Sequence, residues 1–369
     1  MSGMIKKIRI LHIVPSFGIG GLEHGVAKIA NGLPQGKFQV DILALFYPRT
    51  DGDTFSLRSD INFIQLDLSQ IRSKLKKFLT IIKIIRKGRY HIVHTHNWPT
   101  IYGVFAAKLA FVPIVIHGEH GASSDAENHL FLQRIFAKLP DHFAAICIPL
   151  VSWIEKQWNV NSEKITYIPN GIDISRFYNK NQRLKNDTFT IGTVGRLEKV
   201  KNIPFLIQSF KNFIDKYPEA NLRLLIVGNG TEKSCLEKIS RDIGIQDKVC
   251  FTGITKYPEK YYHQMDVYIN PNTNKEGMNN CILEAMACGL PVITSDLPAN
   301  RTWLNDNENV LFFNTDYSDD LEKKIHILYN NENLRNSISK NNVLRIQDEF
   351  TVDLFIQRNM KLYLHLLKR

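Results

Sequence analysis

The sequence predicts an α/β protein built from two doubly wound, Rossmann-like domains. Short apolar segments with strand composition alternate with helical segments along the whole chain, a pattern typical of parallel sheets covered by helices. A glycine-containing turn follows the first strand of each half, at residues 15–21 and at Gly195. Turn residues at 169–173 and a polar run at 179–187 separate the halves. We therefore predict one domain over residues 1–170 and another over residues 171–350.

Composition and charge narrow the possible classes of function. The chain of 369 residues has five cysteines and a formal net charge of +11. An odd cysteine count without a Cys-x-x-Cys motif argues against a disulfide framework and favours a reducing, cytoplasmic location. We find no signal-peptide pattern and no apolar run of about 18 residues, so we expect no membrane span. The positive charge fits an anionic substrate, an anionic membrane surface or nucleic acid.

The first strand, loop and helix form a pattern that suits phosphate binding. A predicted strand over residues 8–14 runs into a glycine-rich loop and a helix, which brings backbone amides close to an anion. A dinucleotide site, with Asp41 as its ribose ligand, is the alternative. Its fingerprint fails, because the position that needs the third glycine, after Gly18 and Gly20, is Glu23.

Residues 71–89 form a basic amphipathic segment. They contain eight Lys or Arg and no acidic residue. Helical spacing places Leu75, Leu79, Ile82 and Arg86 near one face. Two interpretations remain open: a docked helix with a solvated basic face, or a helix that contacts an anionic membrane surface. Both can hold, since one face can pack while another meets lipid.

Histidines cluster near the ends of two predicted strands. His94 and His96 alternate along a strand and therefore share one side of it. A metal site needs a third ligand, and the sequence shows no convincing one. We expect His96 and Asn97 to line a ligand-binding cleft. His117 and His120 follow the next strand, where an open α/β sheet binds ligands.

Basic side chains follow the first strand of the second half. Arg196 and Lys201 are five positions apart at the exit of the predicted strand 189–194, and a guanidinium with an ammonium suits a diphosphate. Turns at Gly228 and Ile254 follow the next two strands. We expect the nucleobase to lie near these turns, mainly against backbone.

The stretch 276–296 combines two carboxylates with the start of a helix. Asn280 is the predicted N-cap, and Gly289 is predicted to adopt the left-handed conformation that ends the helix. Glu276 precedes the helix and Glu284 lies one turn inside it. A phosphate suits the amides at the helix start, and carboxylates suit sugar hydroxyls. The predicted donor-binding residues there are Gly277, Met278, Asn279, Asn280 and Cys281.

This stretch resembles the signature of the retaining GT-B glycosyltransferases of family 4. The signature has two glutamates eight positions apart, here Glu276 and Glu284, followed by Ala-Met-Ala, a glycine and Pro-Val at 285–292. Asn279 departs from it, since many members carry proline there. Other segments that resemble the family are Gly-Gly-x-Glu at 20–23, Pro-Asn-Gly-Ile-Asp at 169–173 and the Gly-Arg and Lys of 195–201.

The resemblance implies a GT-B architecture in which two domains face a central cleft. The first domain would bind the acceptor, the second would bind the nucleotide-sugar, and a last helix over 351–369 would pack back on the first. Gly20 and Gly21 would face the donor phosphates. By similarity to the family's Glu-His segment, His120 is the histidine near the donor sugar, with His117 as the alternative.

The implied activity is transfer of a glycosyl unit, with retention, from a nucleoside-diphosphate sugar to a glycan or lipid-linked acceptor. UDP is the favoured nucleotide, and bacterial capsule, O-antigen or exopolysaccharide biosynthesis is the favoured context. Glu276 would orient the sugar and Glu284 would contact the ribose, while Arg196 and Lys201 would stabilise charge on the departing diphosphate.

The sequence also predicts which cofactors and partners the protein does not need. No Asp-x-Asp metal motif is found at a strand end, so we expect neither a metal nor another cofactor, and no nucleic acid partner. We expect a cytoplasmic protein, in peripheral contact with the cytoplasmic face of the inner membrane. Two alternatives remain open: an NAD(P)-dependent Rossmann oxidoreductase, and a non-catalytic sugar- or lipid-binding protein of the same fold.

Overall fold

The computed structural model describes residues 7–18, 20–47, 56–97, 100–121, 134–180, 188–273, 277–317 and 319–368. The chain forms two units, residues 1–171 with 352–369 and residues 172–351. These bounds lie within one residue of the predicted domain bounds.

The first unit is built on a parallel sheet of seven strands in the order β3-β2-β1-β4-β5-β6-β7. Its strands are β1 Ile8–Val14, β2 Phe38–Ala44, β3 Asn62–Gln65, β4 Ile92–His96, β5 Ile114–Glu119, β6 His142–Ala145 and β7 Ile165–Tyr167. The order reverses between β1 and β4. An open α/β sheet binds ligands outside the carboxyl ends of its strands at such a reversal.

Helices cover both faces of this sheet. They include α1 Gly21–Gly32, α2 Lys74–Gly88, α3 Ile101–Leu109, α4 Ile148–Trp158 and the C-terminal helix α12 Val352–Leu366. One face of the sheet packs in a core with α1 and α12, and the other packs in a core with α2 and α3. The central strands are buried on both sides for this reason, as is typical of parallel sheets.

The second unit repeats the arrangement with six parallel strands in the order β10-β9-β8-β11-β12-β13. Its strands are β8 Phe189–Val194, β9 Leu222–Val227, β10 Val249–Gly253, β11 Val267–Asn270, β12 Val292–Ser295 and β13 Val310–Phe313. Its helices are α5 Ile203–Lys216, α6 Lys233–Asp242, α7 Glu259–Tyr262, α8 Asn280–Ala287, α9 Pro298–Arg301, α10 Asp320–Asn330 and α11 Glu332–Glu349. Here the order reverses between β8 and β11.

The basic helix α2 packs differently from the prediction. Its buried side chains are Ile81, Ile82 and Ile85, whereas Leu75 and Leu79 are 65% and 52% exposed. The core of the sheet contacts the isoleucines of the second half of the helix, so Ile82 is the one buried residue of the face that helical spacing predicted. Leu75 and Leu79 are left at the surface among lysines. In the described part of the chain, no helix is both long enough and apolar enough to cross a membrane.

Candidate functional site

Helix α8 begins one residue earlier than predicted. Its N-cap is Asn279, whose side-chain oxygen accepts a hydrogen bond from the Cys281 amide at 2.9 Å. The prediction that Asn280 caps the helix was wrong, since Asn280 already has helical geometry. At the other end Gly289 has a φ of +69°, and the Leu290 amide donates to the Ala285 carbonyl at 2.9 Å. This confirms the predicted left-handed stop at Gly289.

Backbone hydrogen bonds join the loops that follow β8 and β9. The Gly195 amide donates to the Val227 carbonyl at 3.0 Å, and the Leu197 amide donates to the Asn229 carbonyl at 2.9 Å. Gly228 has a φ of +138°, and a Cβ there would lie 1.9 Å from the Gly195 carbonyl oxygen. Only glycine fits this position, which fixes the place from which the neighbouring Arg196 side chain projects.

A pocket at the reversal between β8 and β11 brings the predicted phosphate ligands together. Its lining includes Arg196, Lys201 and Asn279, with Gly195 and Asn270 beside them. Arg196 is 67% exposed and pairs with Glu198 at 2.7 Å, an ion pair that contributes little when solvated. Cationic groups, an amide and the first turn of α8 therefore meet in one pocket, a combination that suits a diphosphate.

Glu284 is held by a tyrosine that the sequence analysis missed. The Tyr262 hydroxyl donates to Glu284 Oε2 at 2.9 Å. Burial, then the nearby Cys281 and Glu284, raise the pKa of Tyr262 well above its usual value, so the hydroxyl keeps its proton and remains a donor. Tyr262 sits in the short helix α7, far from Glu284 in sequence, and only a helix–helix contact could have identified it.

Several predicted donor residues lie near this pocket and one lies outside the described residues. Met278 is buried beside the cap Asn279, and the latter's side-chain nitrogen donates to Asn270 Oδ1 at 3.3 Å. Asn270 was also missed, although its place at the end of β11 marks it as a candidate. Ile254 is exposed after β10. The remaining predicted residues of the α8 start, Gly277, Asn280 and Cys281, adjoin this region, whereas Glu276 falls in the undescribed segment 274–276.

In the first unit, Gly20 and Gly21 form the start of α1. Gly20 is the N-cap, without a side chain to cap the helix. A Cβ at Gly20 would lie 2.3 Å from Glu23 Oε2, so the glutamate folds back over the cap. The rival dinucleotide interpretation loses its ribose ligand, because Asp41 is buried and accepts a hydrogen bond from the Tyr90 hydroxyl at 2.6 Å.

The two candidate histidines after β5 occupy different environments. Strand β5 continues to Glu119, so His117, which was predicted to follow the strand, lies inside it. Its ring is buried and bonds to Thr95 Oγ1 at 2.6 Å and to Glu119 Oε1 at 3.0 Å. His120 follows the strand and is partly exposed. His120 is therefore the more accessible of the two.

His96 is buried and Asn97 is partly exposed, and both contact His120. The Asn97 side chain accepts a hydrogen bond from the His120 amide at 2.9 Å and so orders the loop after β5. His96 is buried, with its Nδ1 3.0 Å from His120 Nε2 and its Nε2 2.9 Å from His12 Nδ1. Strand β4 carries His96 into the interior of the unit, where it lines a pocket together with His94 and His120.

The sequence analysis also missed His12, which joins His94 and His96. The pKa of His12 is lowered to about 3 by burial and then by the charge of His120. Burial, then neighbouring histidines, lower the pKa of His94 and His96 well below the usual value. All three rings are therefore neutral near pH 7. Strands β1 and β4 are far apart in sequence, so only their pairing brings His12 to the other two.

Comparison with known proteins agrees with this arrangement. The family model "Glycosyl transferases group 1" matches residues 175–345, and "Glycosyltransferase Family 4" matches residues 19–176. The chain is 26% identical to an Escherichia coli UDP-Gal:alpha-D-GlcNAc-diphosphoundecaprenol alpha-1,3-galactosyltransferase, over 99% of this chain and 98% of that one. It is 29% identical to the Staphylococcus aureus capsular polysaccharide biosynthesis glycosyltransferase CapM, over 80% and 82% of the two chains.

A solved structure shares the fold at low sequence identity. Anabaena Alr3699/HepE, crystallised with UDP, superposes with a TM-score of 0.79 over 96% of this chain and 99% of that chain, at 16% identity. Similarity at this level concerns the fold and confirms the predicted pair of Rossmann-like α/β domains with the GT-B fold.

Proposed function

Because the chain belongs to the group 1, family 4 glycosyltransferases with the GT-B fold, we propose that it transfers a sugar from a nucleoside-diphosphate sugar to a glycan or lipid-linked acceptor. UDP is the favoured nucleotide. The observation that carries this proposal is the pocket at the β8–β11 reversal, which collects Arg196, Lys201 and the start of α8. These groups are suited to a diphosphate.

The pocket supports a mechanism based on charge stabilisation. When the bond between sugar and diphosphate breaks, negative charge grows on the leaving phosphate oxygens. Arg196 and Lys201 stabilise that charge from fixed positions, and the N-terminus of α8 adds its partial positive charge. Glu284, oriented by Tyr262, binds the ribose hydroxyls, and Glu276 orients the sugar. The resemblance to the family assigns His120 a role at the donor sugar, and attack from the face that the diphosphate leaves retains the anomeric configuration.

Transfer proceeds without a metal ion at the diphosphate. A divalent cation there would duplicate the charge that Arg196 and Lys201 supply. We expect full activity in excess chelator when Mg²⁺ and Mn²⁺ are absent. Loss of activity that returns with Mg²⁺ or Mn²⁺ would contradict this expectation. Recovery with Zn²⁺ alone would instead indicate a nitrogen-ligand site elsewhere in the protein, since Zn²⁺ favours such ligands.

A thermal-shift screen tests the donor site first. The purified protein is measured with UDP, GDP, ADP, NAD and NADP, and the screen is repeated with Arg196→Ala and Glu284→Ala. A ligand that binds only the folded protein raises its melting temperature, and we expect UDP to do so in the wild type but only weakly in both variants. Stabilisation by NAD or NADP alone, unchanged in the variants, would favour the oxidoreductase alternative.

We further propose that the acceptor is a lipid-linked glycan intermediate of bacterial cell-surface polysaccharide assembly. The Escherichia coli relative is named for a diphosphoundecaprenol-linked acceptor, and the Staphylococcus aureus relative is named for capsule biosynthesis. A lipid-linked acceptor remains at the membrane, so an enzyme that uses it gains by binding the membrane surface. Incubation of UDP-sugars with diphospholipid-linked and water-soluble forms of one glycan, followed by product analysis, separates the two acceptor classes.

Helix α2 offers the surface for such contact. Leu75 and Leu79 are exposed beside exposed lysines at 74, 76, 83 and 87. Phe111, after α3, is 85% exposed, and the Arg86 guanidinium donates to the Leu109 carbonyl at 3.1 Å, which ties this turn to α2. Apolar side chains ringed by lysines suit the interface of an anionic membrane.

Vesicle cosedimentation distinguishes lipid contact from a solvated helix face. We expect binding to vesicles that contain anionic lipid, with weaker binding at high salt and in a variant with Lys76, Lys77, Lys83 and Lys87 changed to Gln. A matched control changes four lysines of the second unit, Lys211, Lys216, Lys238 and Lys260, to Gln. Equal binding by wild type and the α2 variant would rule out the proposed helix contact.

A further inference from the structure

Three buried histidines meet at the point where the strand order of the first unit reverses. His12 on β1 and His94 on β4 are direct neighbours across the strand pair, and His96 follows two residues later on the same face. The ring centroids are 5.2 Å apart for His12 and each of the other two, and 4.2 Å apart for His94 and His96. All three side chains are at most 2% exposed. One ring nitrogen from each residue lies within 4.8 Å of the others.

The hydrogen bonds of the cluster leave two buried ring nitrogens without a partner. His94 Nδ1 is 2.9 Å from the Tyr363 hydroxyl, and His96 Nδ1 is 3.0 Å from His120 Nε2. His96 Nε2 and His12 Nδ1 lie 2.9 Å apart, so a metal ion bound to both would replace the proton that they share. His94 Nε2 and His12 Nε2, although buried, have no hydrogen-bond partner. Buried polar atoms in proteins are nearly always satisfied, so an unsatisfied one calls for a ligand.

We propose that His12, His94 and His96 bind a divalent transition metal ion, for which Zn²⁺ is the best fit. Neutral imidazoles suit Zn²⁺, Cu²⁺, Fe²⁺ and Ni²⁺, whereas Mg²⁺ and Ca²⁺ require oxygen ligands. Nitrogens bound 2.0–2.1 Å from a tetrahedral Zn²⁺ are about 3.3 Å apart. The present spacing within 4.8 Å closes to that value by small rotations of the side chains.

The groups around the triad suit the second shell of such a site. A metal-binding histidine usually donates its other ring N–H to a fixed acceptor, which sets the tautomer and leaves the remaining nitrogen for the metal. Tyr363 is placed to accept from His94, and His120 is placed to accept from His96. The unsatisfied His94 Nε2 is then the nitrogen that carries the lone pair for the metal.

Gly118 leaves open the space beside the triad. A Cβ at this position would lie 3.0 Å from His94 Nε2, 3.2 Å from His96 Nδ1 and 3.5 Å from His120 Nε2. The same glycine and histidines line a pocket of the first unit. Three neutral ligands leave one coordination position and the charge of the ion uncompensated, so a small anion such as hydroxide completes the site from this pocket.

The inferred ion stabilises the first unit and takes no part in diphosphate binding. It joins β1 to β4 and, through the hydroxyl of Tyr363, both strands to α12. The diphosphate pocket belongs to the second unit. Loss of the ion therefore lowers the melting temperature of the full-length protein, while UDP still binds and shifts that temperature as before.

Metal analysis of the full-length protein without a histidine tag tests the site. The wild type is stripped with chelator, loaded with Zn²⁺ or with Co²⁺, passed through a desalting column and analysed for metal. We expect about one ion per chain, a Co²⁺ visible spectrum typical of tetrahedral nitrogen coordination, and a higher melting temperature with Zn²⁺. Folded wild type that retains neither ion overturns the proposal.

Variants locate the ion. His96→Gln removes a ligand, and Gly118→Ala keeps all ligands but fills the space beside them; we expect both to lose the bound ion and the stabilisation by Zn²⁺. His365→Gln, an exposed histidine of α12, serves as the control for adventitious binding and should retain the ion. Loss of metal in His365→Gln alone, or equal retention in all three variants, contradicts the site. If circular dichroism shows that His96→Gln or Gly118→Ala is not folded, the Co²⁺ spectrum of the wild type decides whether the ion has nitrogen ligands.

Discussion

At the point where the strand order reverses, the second unit has positively charged side chains in contact with solvent, whereas the first unit has buried, neutral imidazoles. In the second unit, Arg196 and Lys201 leave the end of β8 beside the first turn of α8. In the first unit, His12, His94 and His96 fill the same point of the sheet from within. Solvent contact explains the difference, because a charge at the surface keeps its hydration, whereas burial favours the neutral form of a histidine.

The comparison shows that one topological position can present two different kinds of side chain, solvated cations in one unit and buried imidazoles in the other. Side chains beyond the strand ends reach a ligand that arrives from solution, as a diphosphate would. Side chains within the strands can meet only one another, or a small ion that enters between them. The four changes below separate these two cases and are ordered by the size of the expected effect.

The largest effect should come from Arg196→Ala. We expect the rate of transfer to fall about 10²–10³-fold, the size typical of losing one fixed group that stabilises transition-state charge. The melting temperature should hardly change, because Arg196 is exposed and its ion pair with Glu198 is solvated. Initial rates with the donor sugar measure the effect. Lys199→Ala, an exposed lysine of the same loop, is the control, and equal rates in the two variants would contradict the assigned role.

Gly228→Ala should destabilise the second unit. The added Cβ meets the Gly195 carbonyl oxygen at 1.9 Å and the residue has a φ of +138°, so overpacking and backbone strain together cost roughly 2–4 kcal/mol. Gly244→Ala is matched for positive φ, at +71°, but its Cβ meets nothing within 4 Å. Urea unfolding of both variants isolates the contribution of the clash. Similar losses of stability would show that the loops of β8 and β9 adjust to each other.

Tyr262→Phe should weaken donor binding more than it weakens the fold. It removes the hydroxyl that holds Glu284 at 2.9 Å, and a hydrogen bond to a carboxylate is worth about 1.5–3 kcal/mol. We expect the Kd for UDP to rise by about tenfold, a loss of about 1.4 kcal/mol, measured by calorimetry. Tyr268→Phe provides the comparison, since that hydroxyl lies 3.5 Å from the Val194 carbonyl. An unchanged Kd for Tyr262→Phe would mean that Glu284 does not depend on this contact.

The smallest effect should come from Tyr363→Phe, and it should appear in the first unit alone. The change leaves His94 Nδ1 without its partner at 2.9 Å, at a cost of about 1 kcal/mol. Hydrogen exchange of the β4 amides should quicken accordingly, while the Kd for UDP stays at the wild-type value. A weaker Kd for UDP without faster exchange would show that the histidine cluster and the donor pocket are coupled.

Local sequence predicted which residues of the second unit come together in its pocket. Strand β8 has the predicted bounds, 189–194, and Arg196 and Lys201 come together because both follow this strand within a few residues. Gly289 ends α8 as predicted, since the left-handed conformation is a property of a single residue. The error in this unit was one residue in size. The N-cap of α8 is Asn279 and not Asn280, because two adjacent asparagines are equally good caps.

The rest depended on pairing between distant segments. His94 and His96 were recognised as sharing one side of a strand, but their third partner, His12, comes from a strand some eighty positions earlier that becomes a neighbour only through the parallel β1–β4 pairing. The buried face of α2 and the tyrosine that holds Glu284 have the same origin. Hydrophobic periodicity and turn residues are properties of the local sequence, and they determine which helices and strands form. Burial and the charge state of a side chain depend on what packs against it, and that is decided only when the elements meet.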